Sequence, residues 1–317
     1  MKTLIITLLA VWAVQGAAWA GPHSPPKSPK KHAVKVHAKV QPKVFRKMNA
    51  KPKSERALLA STADGMGDLR SSSVFVLDPT GGRTLYAKNI TAVQPIASIT
   101  KLMTAMVVLD AKLDLDEQVA ITEDDVDLLK HTRSRLHVGS VFPRDDLMRL
   151  ALMASENRAA AALSRAYPGG TAAFVHAMNL KAMELSMSRT HFVDGSGLSS
   201  ENVSTAEDLA KMVAAAYRYP IIQQYTTLTD YTVRLNSGKV LAYRNTNGLI
   251  KNDQWQIDVS KTGYISEAGR CLVMQARIAA TPVVIVLLDS WGKYTRIADA
   301  NRVKKWVENH LARQTPG

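Results

Sequence analysis

Cys271 is the only cysteine in 317 residues, so no disulfide can form within the chain. It lies in Cys271-Leu272-Val273-Met274, where a small buried hydrophobe is expected rather than a nucleophile, because no activating partner accompanies it. The sequence has no H-E-x-x-H pattern, and His131 and His137 sit in a basic stretch without carboxylate partners, which argues against a metal site. It also lacks G-x-S-x-G and any glycine-rich phosphate loop, so no cofactor is expected. Beyond the N-terminus no run is long and apolar enough to cross a bilayer; the longest, Val283 to Leu288, has the length of a buried strand. The net charge of +14 is unevenly placed: nine lysines and two arginines against one glutamate give residues 21–56 a net +10, and Lys2 adds one. Only +3 remains for residues 57–317, which argues against a nucleic-acid surface in the folded part.

Lys2, the apolar run Leu4 to Val14 and Ala18-Trp19-Ala20 together read as a signal peptide over residues 1–20, cleaved on export; an uncleaved anchor is the other reading. Residues 21–60 are rich in proline and lysine and poor in large apolar side chains, and are expected to form a disordered basic tail. It is either a passive spacer or a weak electrostatic tether to anionic envelope polymers or a membrane surface. Residues 61–317 are expected to fold.

Within that region Ser73–Leu77 and Arg83–Lys88 read as strands around the turn Asp78-Pro79-Thr80-Gly81-Gly82. Ile99, Leu102, Met103, Met106 and Val107 form a helical stripe. Helices are expected over Asp145–Tyr167 and Thr171–Met187, and a fourth from the capping box Ser204-Thr205-Ala206-Glu207 to just before Pro220. Strands follow at Thr232–Leu235 and Lys239–Tyr243, around a hairpin turn, then at Gln256–Lys261, Arg270–Ile278 and Pro282–Leu288. An amphipathic helix, Arg296–Leu311, closes the chain. This order predicts an α+β fold: one antiparallel sheet whose N- and C-terminal strands meet, flanked by helices, with a mainly helical portion in between.

Three short motifs carry chemistry. Ser98-Ile99-Thr100-Lys101 places a hydroxyl and an amine one helical turn apart at a helix start. A serine needs an adjacent base, and a lysine serves as one when burial or other cations lower its pKa. The spacing alone is weak evidence, because Ser24-Pro25-Pro26-Lys27 and Ser28-Pro29-Lys30-Lys31 repeat it inside the tail. Ser155-Glu156-Asn157, in an expected helical context, offers a hydroxyl and an amide to hold Lys101, relay a proton and orient a substrate amide; Ser200-Glu201-Asn202 is a second copy in a loop and is set aside. Lys261-Thr262-Gly263, at a strand end, presents a cation and a hydroxyl to a carboxylate, with a glycine for close backbone approach; Lys261 would also help keep Lys101 neutral. S-x-x-K, S-D-N and K-T-G occur together in serine β-lactamases and penicillin-binding proteins, and this chain has the three in that order with Glu156 in the middle position of the second.

Around these motifs, Pro95 to Ala105, Leu152 to Ala160, Phe192 to Ser199, Ser204 to Leu209 and Lys261 to Gly269 resemble the low-molecular-mass penicillin-binding proteins that act as D-alanyl-D-alanine peptidases. Arg244-Asn245-Thr246-Asn247, Asn157-Arg158-Ala159-Ala160 and Gly292-Lys293-Tyr294-Thr295 resemble the endopeptidase branch of penicillin-binding protein 7 type, and the 54 residues after Gly263 suffice to finish the sheet and one helix. The resemblance implies a β-lactamase/DD-peptidase-like fold and a periplasmic enzyme that cuts D-alanyl–diaminopimelyl cross-bridges between peptidoglycan stem peptides; a carboxypeptidase trimming pentapeptide stems is the alternative. It implies Ser98 as nucleophile, Lys101 as base, Ser155 and Asn157 in the proton path, and Lys261 and Thr262, beside Gly263, as receivers of the substrate carboxylate. It further implies an oxyanion hole from the backbone N–H groups of Ser98 and Tyr264, Arg244 and Arg296 as substrate contacts, and β-lactams as slowly released covalent inhibitors.

Overall fold

In the computed structural model, Met66, residues 68–235 and residues 237–313 are described. The expected signal peptide and the whole of the expected tail lie outside the described residues.

The first strands, β1 (Ser71–Asp78) and β2 (Arg83–Lys88), form a hairpin. Asp78 holds the turn through Oδ1, which accepts from the N–H groups of Thr80 and Gly81. A short 3-10 turn, Ala97–Thr100, leads into α1 (Lys101–Asp110). The helical portion follows: α2 (Arg144–Met153), α3 (Asn157–Arg165), α4 (Gly170–Glu184), α5 (Ala206–Ala216) and α6 (Pro220–Thr227). Then come β3 (Asp230–Arg234), β4 (Val240–Arg244), β5 (Gln256–Ile265), β6 (Gly269–Ile278), β7 (Thr281–Ser290) and α7 (Thr295–Ala312).

The main sheet has the order β2-β1-β7-β6-β5 and is antiparallel throughout. The first strand pairs with the last, as expected from the sequence. Alternate residues serve two cores. Phe75, Val259, Ile265, Cys271, Val273, Val284, Val286 and Leu288 face the helical portion. Val74, Val76, Leu272, Met274, Val283, Ile285 and Leu287 pack with Val303, Trp306 and Val307 of α7. The unbroken apolar run of β7 reflects burial on both faces. Buried from Lys101 to Val108, α1 stands at the centre of the larger core.

The structure corrects several boundaries. The helix expected over Asp145–Tyr167 is broken at residues 154–156: Ala154 donates back to the Leu150 carbonyl, Ser155 takes a left-handed φ of +59°, and Glu156 caps α3 by accepting from the Arg158 N–H. No proline or glycine marks this break, since a side-chain cap performs it. Thr205, not Ser204, caps α5, accepting from the Asp208 N–H at 3.1 Å. Pro220 opens a further helix instead of only ending one, consistent with proline at a first helical position. The β3–β4 hairpin forms its own two-stranded sheet, and β5 extends four residues past Lys261.

Candidate active site

The site assembles where the 3-10 turn before α1 meets the free edge of β5. Ala97, Ile99 and Thr100 are buried and Ser98 is only partly so, which turns its hydroxyl towards the cleft. Ala97 holds a left-handed φ of +49°, a conformation that costs an alanine energy and is kept by its surroundings. The Thr100 hydroxyl donates to the Ala97 carbonyl at 2.8 Å, and the Ile96 N–H bonds the Asn202 carbonyl at 3.1 Å. Two glycines allow the approach. A Cβ on Gly197 would lie 2.0 Å from the Ala97 carbonyl oxygen, and one on Gly263 would lie 2.9 Å from that of Ile96 and 3.2 Å from the Ser98 nitrogen.

Lys101 is fully buried, and its Nζ meets three acceptors: Ser98 Oγ at 2.8 Å, Asn157 Oδ1 at 2.8 Å and the Ser196 carbonyl at 2.5 Å. Burial lowers its pKa to about 7 against the opposing pull of Asp194 and Glu156. This geometry suits the neutral amine. Two N–H groups remain for Asn157 and Ser196, and the lone pair then faces the Ser98 hydroxyl.

Lys261 is likewise buried, donating to Ser155 Oγ at 2.8 Å and to the Thr262 carbonyl at 2.9 Å. Its pKa falls well below the ordinary lysine range, first through burial and then through the charges of Lys101 and Arg296. Lys101 is lowered chiefly by burial, and it and Lys261 are close enough for their like charges to oppose each other, in line with the sequence pattern. The Ser155-Glu156-Asn157 segment is also divided in a way the spacing did not show: Asn157 holds Lys101, while Ser155 holds Lys261. The Thr262 hydroxyl shares a 2.6 Å hydrogen bond with that of Thr246. Tyr264 is 56% exposed, with the Arg270 guanidinium 4.5 Å from its ring centroid. Arg296 Nη1 donates to the Gly263 carbonyl at 3.4 Å, and its Nε is buried without a hydrogen-bond partner among the described residues. Arg244 is exposed at the end of β4 and takes no part in these hydrogen bonds.

Sequence reasoning missed the supporting loop. Both carboxylate oxygens of Asp194 are used: Oδ1 accepts from the Ser196 N–H, the Ser196 hydroxyl and the Gly197 N–H, and Oδ2 from the Ser199 N–H. This carboxylate sets the Ser196 carbonyl against Lys101. Asn202, in the tripeptide set aside above, donates to Thr100 Oγ1 and the Asp194 carbonyl and accepts from the Val193 and Asp194 N–H groups. The run Asp194-Gly195-Ser196-Gly197 carries the composition of a side-chain-stabilised turn, which was the available signal. Across the cleft, Lys130 forms an ion pair with Glu267 of the β5–β6 turn, and the Thr132 hydroxyl accepts from Asn157 Nδ2 at 3.1 Å. Among the described residues no group of His, Cys, Asp and Glu is arranged to hold a metal ion, and no helix is long and apolar enough to cross a membrane.

A hydroxyl on a buried neutral lysine, at the border of an α+β sheet and a helical portion, is the arrangement of a serine acyl-transfer enzyme. Residues 59–292 match the peptidase S11 family, D-alanyl-D-alanine carboxypeptidase, and the chain belongs to that family. It is 50% identical over 242 residues to a D-alanyl-D-alanine endopeptidase of Pseudomonas aeruginosa, covering 76% of this chain and 78% of the relative. It is 44% identical over 266 residues to one of Escherichia coli, covering 84% and 86%. D-alanyl-D-alanine carboxypeptidase DacF of Bacillus subtilis is 32% identical over 267 residues, covering 82% of this chain and 64% of the relative. Among solved structures, the Streptomyces K15 DD-transpeptidase superposes with a TM-score of 0.70 at 27% identity, covering 75% of this chain and 97% of that one.

Proposed function

We propose that this chain is a DD-endopeptidase that hydrolyses D-alanyl–diaminopimelyl cross-bridges of peptidoglycan through an acyl-enzyme on Ser98. The observation that carries the reading is the Ser98 hydroxyl 2.8 Å from a fully buried Lys101 whose pKa lies at about 7. Neutral Lys101 accepts the Ser98 proton as Oγ attacks the D-alanyl carbonyl. The tetrahedral oxyanion is held by the backbone N–H groups of Ser98 and Tyr264, a reading supported by the close passage of Gly263, the residue before Tyr264, against the Ser98 nitrogen. On collapse the C–N bond breaks, and the amine leaves with the proton that Lys101 took up. Water then attacks the ester, Lys101 takes its proton, and as the C–O bond breaks that proton passes to Ser98 Oγ, which restores the serine hydroxyl and the neutral amine. Lys261 and Thr262, with Arg296 behind Gly263, receive the carboxylate on the leaving side. The free edge of β5 offers main-chain hydrogen bonds to an extended peptide laid along it.

The endopeptidases of Pseudomonas aeruginosa and Escherichia coli support cross-bridge cleavage, and the description of the family supports the trimming of pentapeptide stems as a second reading. Digests of purified muropeptides separate them. Dimers falling to monomers is the expected result; pentapeptides losing one D-alanine while dimers persist would establish the carboxypeptidase instead. Labelled penicillin should attach to the wild type and not to Ser98→Ala, and an unlabelled, folded wild type would reject the acyl-enzyme. We place the enzyme in the periplasm on the basis of the leader at residues 1–20, and assign residues 21–60 to weak contact with anionic envelope polymers or membrane. Fractionation of the processed protein tests the first. Loss of salt-sensitive binding to sacculi on deletion of residues 21–53 tests the second.

A further inference from the structure

Past Tyr264, the end of the sheet opens into a groove of about 430 Å³ lined by Tyr264, Ser266, Arg270, Asp289, Trp291 and Lys293 among others. Its rim is aromatic and wet: Trp291 is 86% and the neighbouring Tyr294 71% exposed. Its cations lie over rings rather than against acids, Arg270 over Tyr264 and Lys293 over Tyr294 at 5.4 Å from the ring centroid. Neither cation forms an ion pair among the described residues. Asp289 holds a left-handed φ of +48°, a conformation aspartate adopts more readily than most side chains, and accepts from the Ser72 hydroxyl at 2.7 Å. A Cβ at Gly269 would lie 2.2 Å from Asp289 Oδ1, so glycine there leaves the carboxylate its place.

The direction of the substrate follows from the order of groups along β5, and this step rests on the function proposed above. Lys261 and Thr262 take the carboxylate on the leaving side, the carbonyl under attack lies at Ser98 and Tyr264, and the acyl-donor stem therefore departs past Tyr264 and Ser266, where the groove begins. In a D-alanyl–diaminopimelyl bridge the D-alanine of the donor is preceded by a diaminopimelyl residue. The acceptor's diaminopimelyl amine is consumed in the bond, whereas the donor's side chain ends in a free ammonium and a free carboxylate.

We propose that the groove is a subsite for this zwitterionic end, with Arg270 and Lys293 on its carboxylate, Asp289 on its ammonium and Trp291 against its methylene chain. The charges match in sign and number of kinds, and an amphipathic chain with a polar head is what an exposed indole beside charged groups accommodates. A lysine in the same stem position keeps the ammonium and lacks the carboxylate, so the subsite discriminates between the two.

The test measures binding in the inert Ser98→Ala protein by calorimetry, with L-alanyl-γ-D-glutamyl-diaminopimelyl-D-alanine and its lysyl counterpart as probes. The diaminopimelyl peptide is expected to bind about tenfold more tightly, the effect of one added charge-assisted contact. Lys293→Ala in that background should bring the ratio to within about threefold of unity, whereas Asp289→Asn, which faces the ammonium common to both probes, should weaken both about equally and leave the ratio in place; each variant is checked for an unchanged melting temperature. Equal affinities in the parent, no measurable binding of either probe, a ratio untouched by Lys293→Ala, or affinities for both probes untouched by Asp289→Asn would each overturn the proposal. Because the binding assay requires no cleavage, muropeptide digests that show only trimming would refute the endopeptidase reading while leaving the subsite intact.

Discussion

Acylation of Ser98 by penicillin should rise with pH to a plateau governed by Lys101. An ordinary lysine with a pKa of 10.5 is neutral in only about 3 molecules in 10,000 at pH 7, whereas one lowered to about 7 is neutral in about half. The surroundings of Lys101, with burial outweighing the pull of Asp194 and Glu156, thus disfavour its charged form by about 5 kcal/mol net, and raise the population of the competent base at pH 7 by roughly three orders of magnitude. Protonation below the folded pKa removes the base. The second-order rate constant should therefore fall about tenfold for each pH unit below about 7, reaching roughly one hundredth of its plateau at pH 5, and should be flat from about pH 8 to 9. Stopped-flow acylation with a penicillin, which carries the same charge throughout that range, reads this directly. Glu156 opposes the lowering, so Glu156→Gln, which removes the charge and keeps an acceptor for the cap of α3, should move the acid limb to lower pH. A profile that continues to climb tenfold per unit beyond pH 9, in wild type and variant alike, would show that the buried amine is not the base.

Asn157→Asp would place a carboxylate where an amide oxygen now sits 2.8 Å from Lys101 Nζ, favouring the ammonium; the acid limb should move to higher pH, and acylation at pH 7 should slow by tenfold or more, measured by the same assay. Gly197→Ala combines a φ of +78° with a Cβ 2.0 Å from the Ala97 carbonyl, and calorimetric melting should show a loss of roughly 2 kcal/mol or more together with slower acylation. Asp299 is buried where it accepts from the Ser71 N–H and hydroxyl and pairs with Arg302, so Asp299→Ala should cost roughly 3 kcal/mol in a urea titration while the acylation pH profile keeps its shape. Gly263→Ala, which would bring a methyl to 2.9 Å from the Ile96 carbonyl and 3.2 Å from the Ser98 nitrogen, should impair penicillin labelling far more than thermal stability, read by gel fluorescence beside a melting curve.

Much of the fold was legible because its periods are local. The apolar run of β7 announced a strand buried on two faces, and the stripe from Ile99 to Val107 announced the central helix. The break at residues 154–156 was hidden, since Glu156 ends one helix and starts the next with a side-chain cap in a stretch whose composition favours helix throughout. The hairpin at residues 230–244 was recognisable as a hairpin, but its separation from the main sheet depends on what packs around it.

At the site, sequence alone determined the pairing of Ser98 with Lys101, because a three-residue spacing at a helix start brings two side chains onto one face whatever surrounds them. It also supplied the order of the three motifs. Only the tertiary structure decided what those residues are to each other. Asn157 reaches Lys101 across 56 residues of chain, the Ser196 carbonyl across 95, and Lys261 turns to Ser155 across 106. The same holds for Asn202, a failed copy of the second motif by position and a brace of the nucleophile turn in the fold. Hydrogen-bond spacing along a helix is a property of the backbone, whereas the exclusion of water that lowers Lys101 to about 7 is a property of everything packed around it.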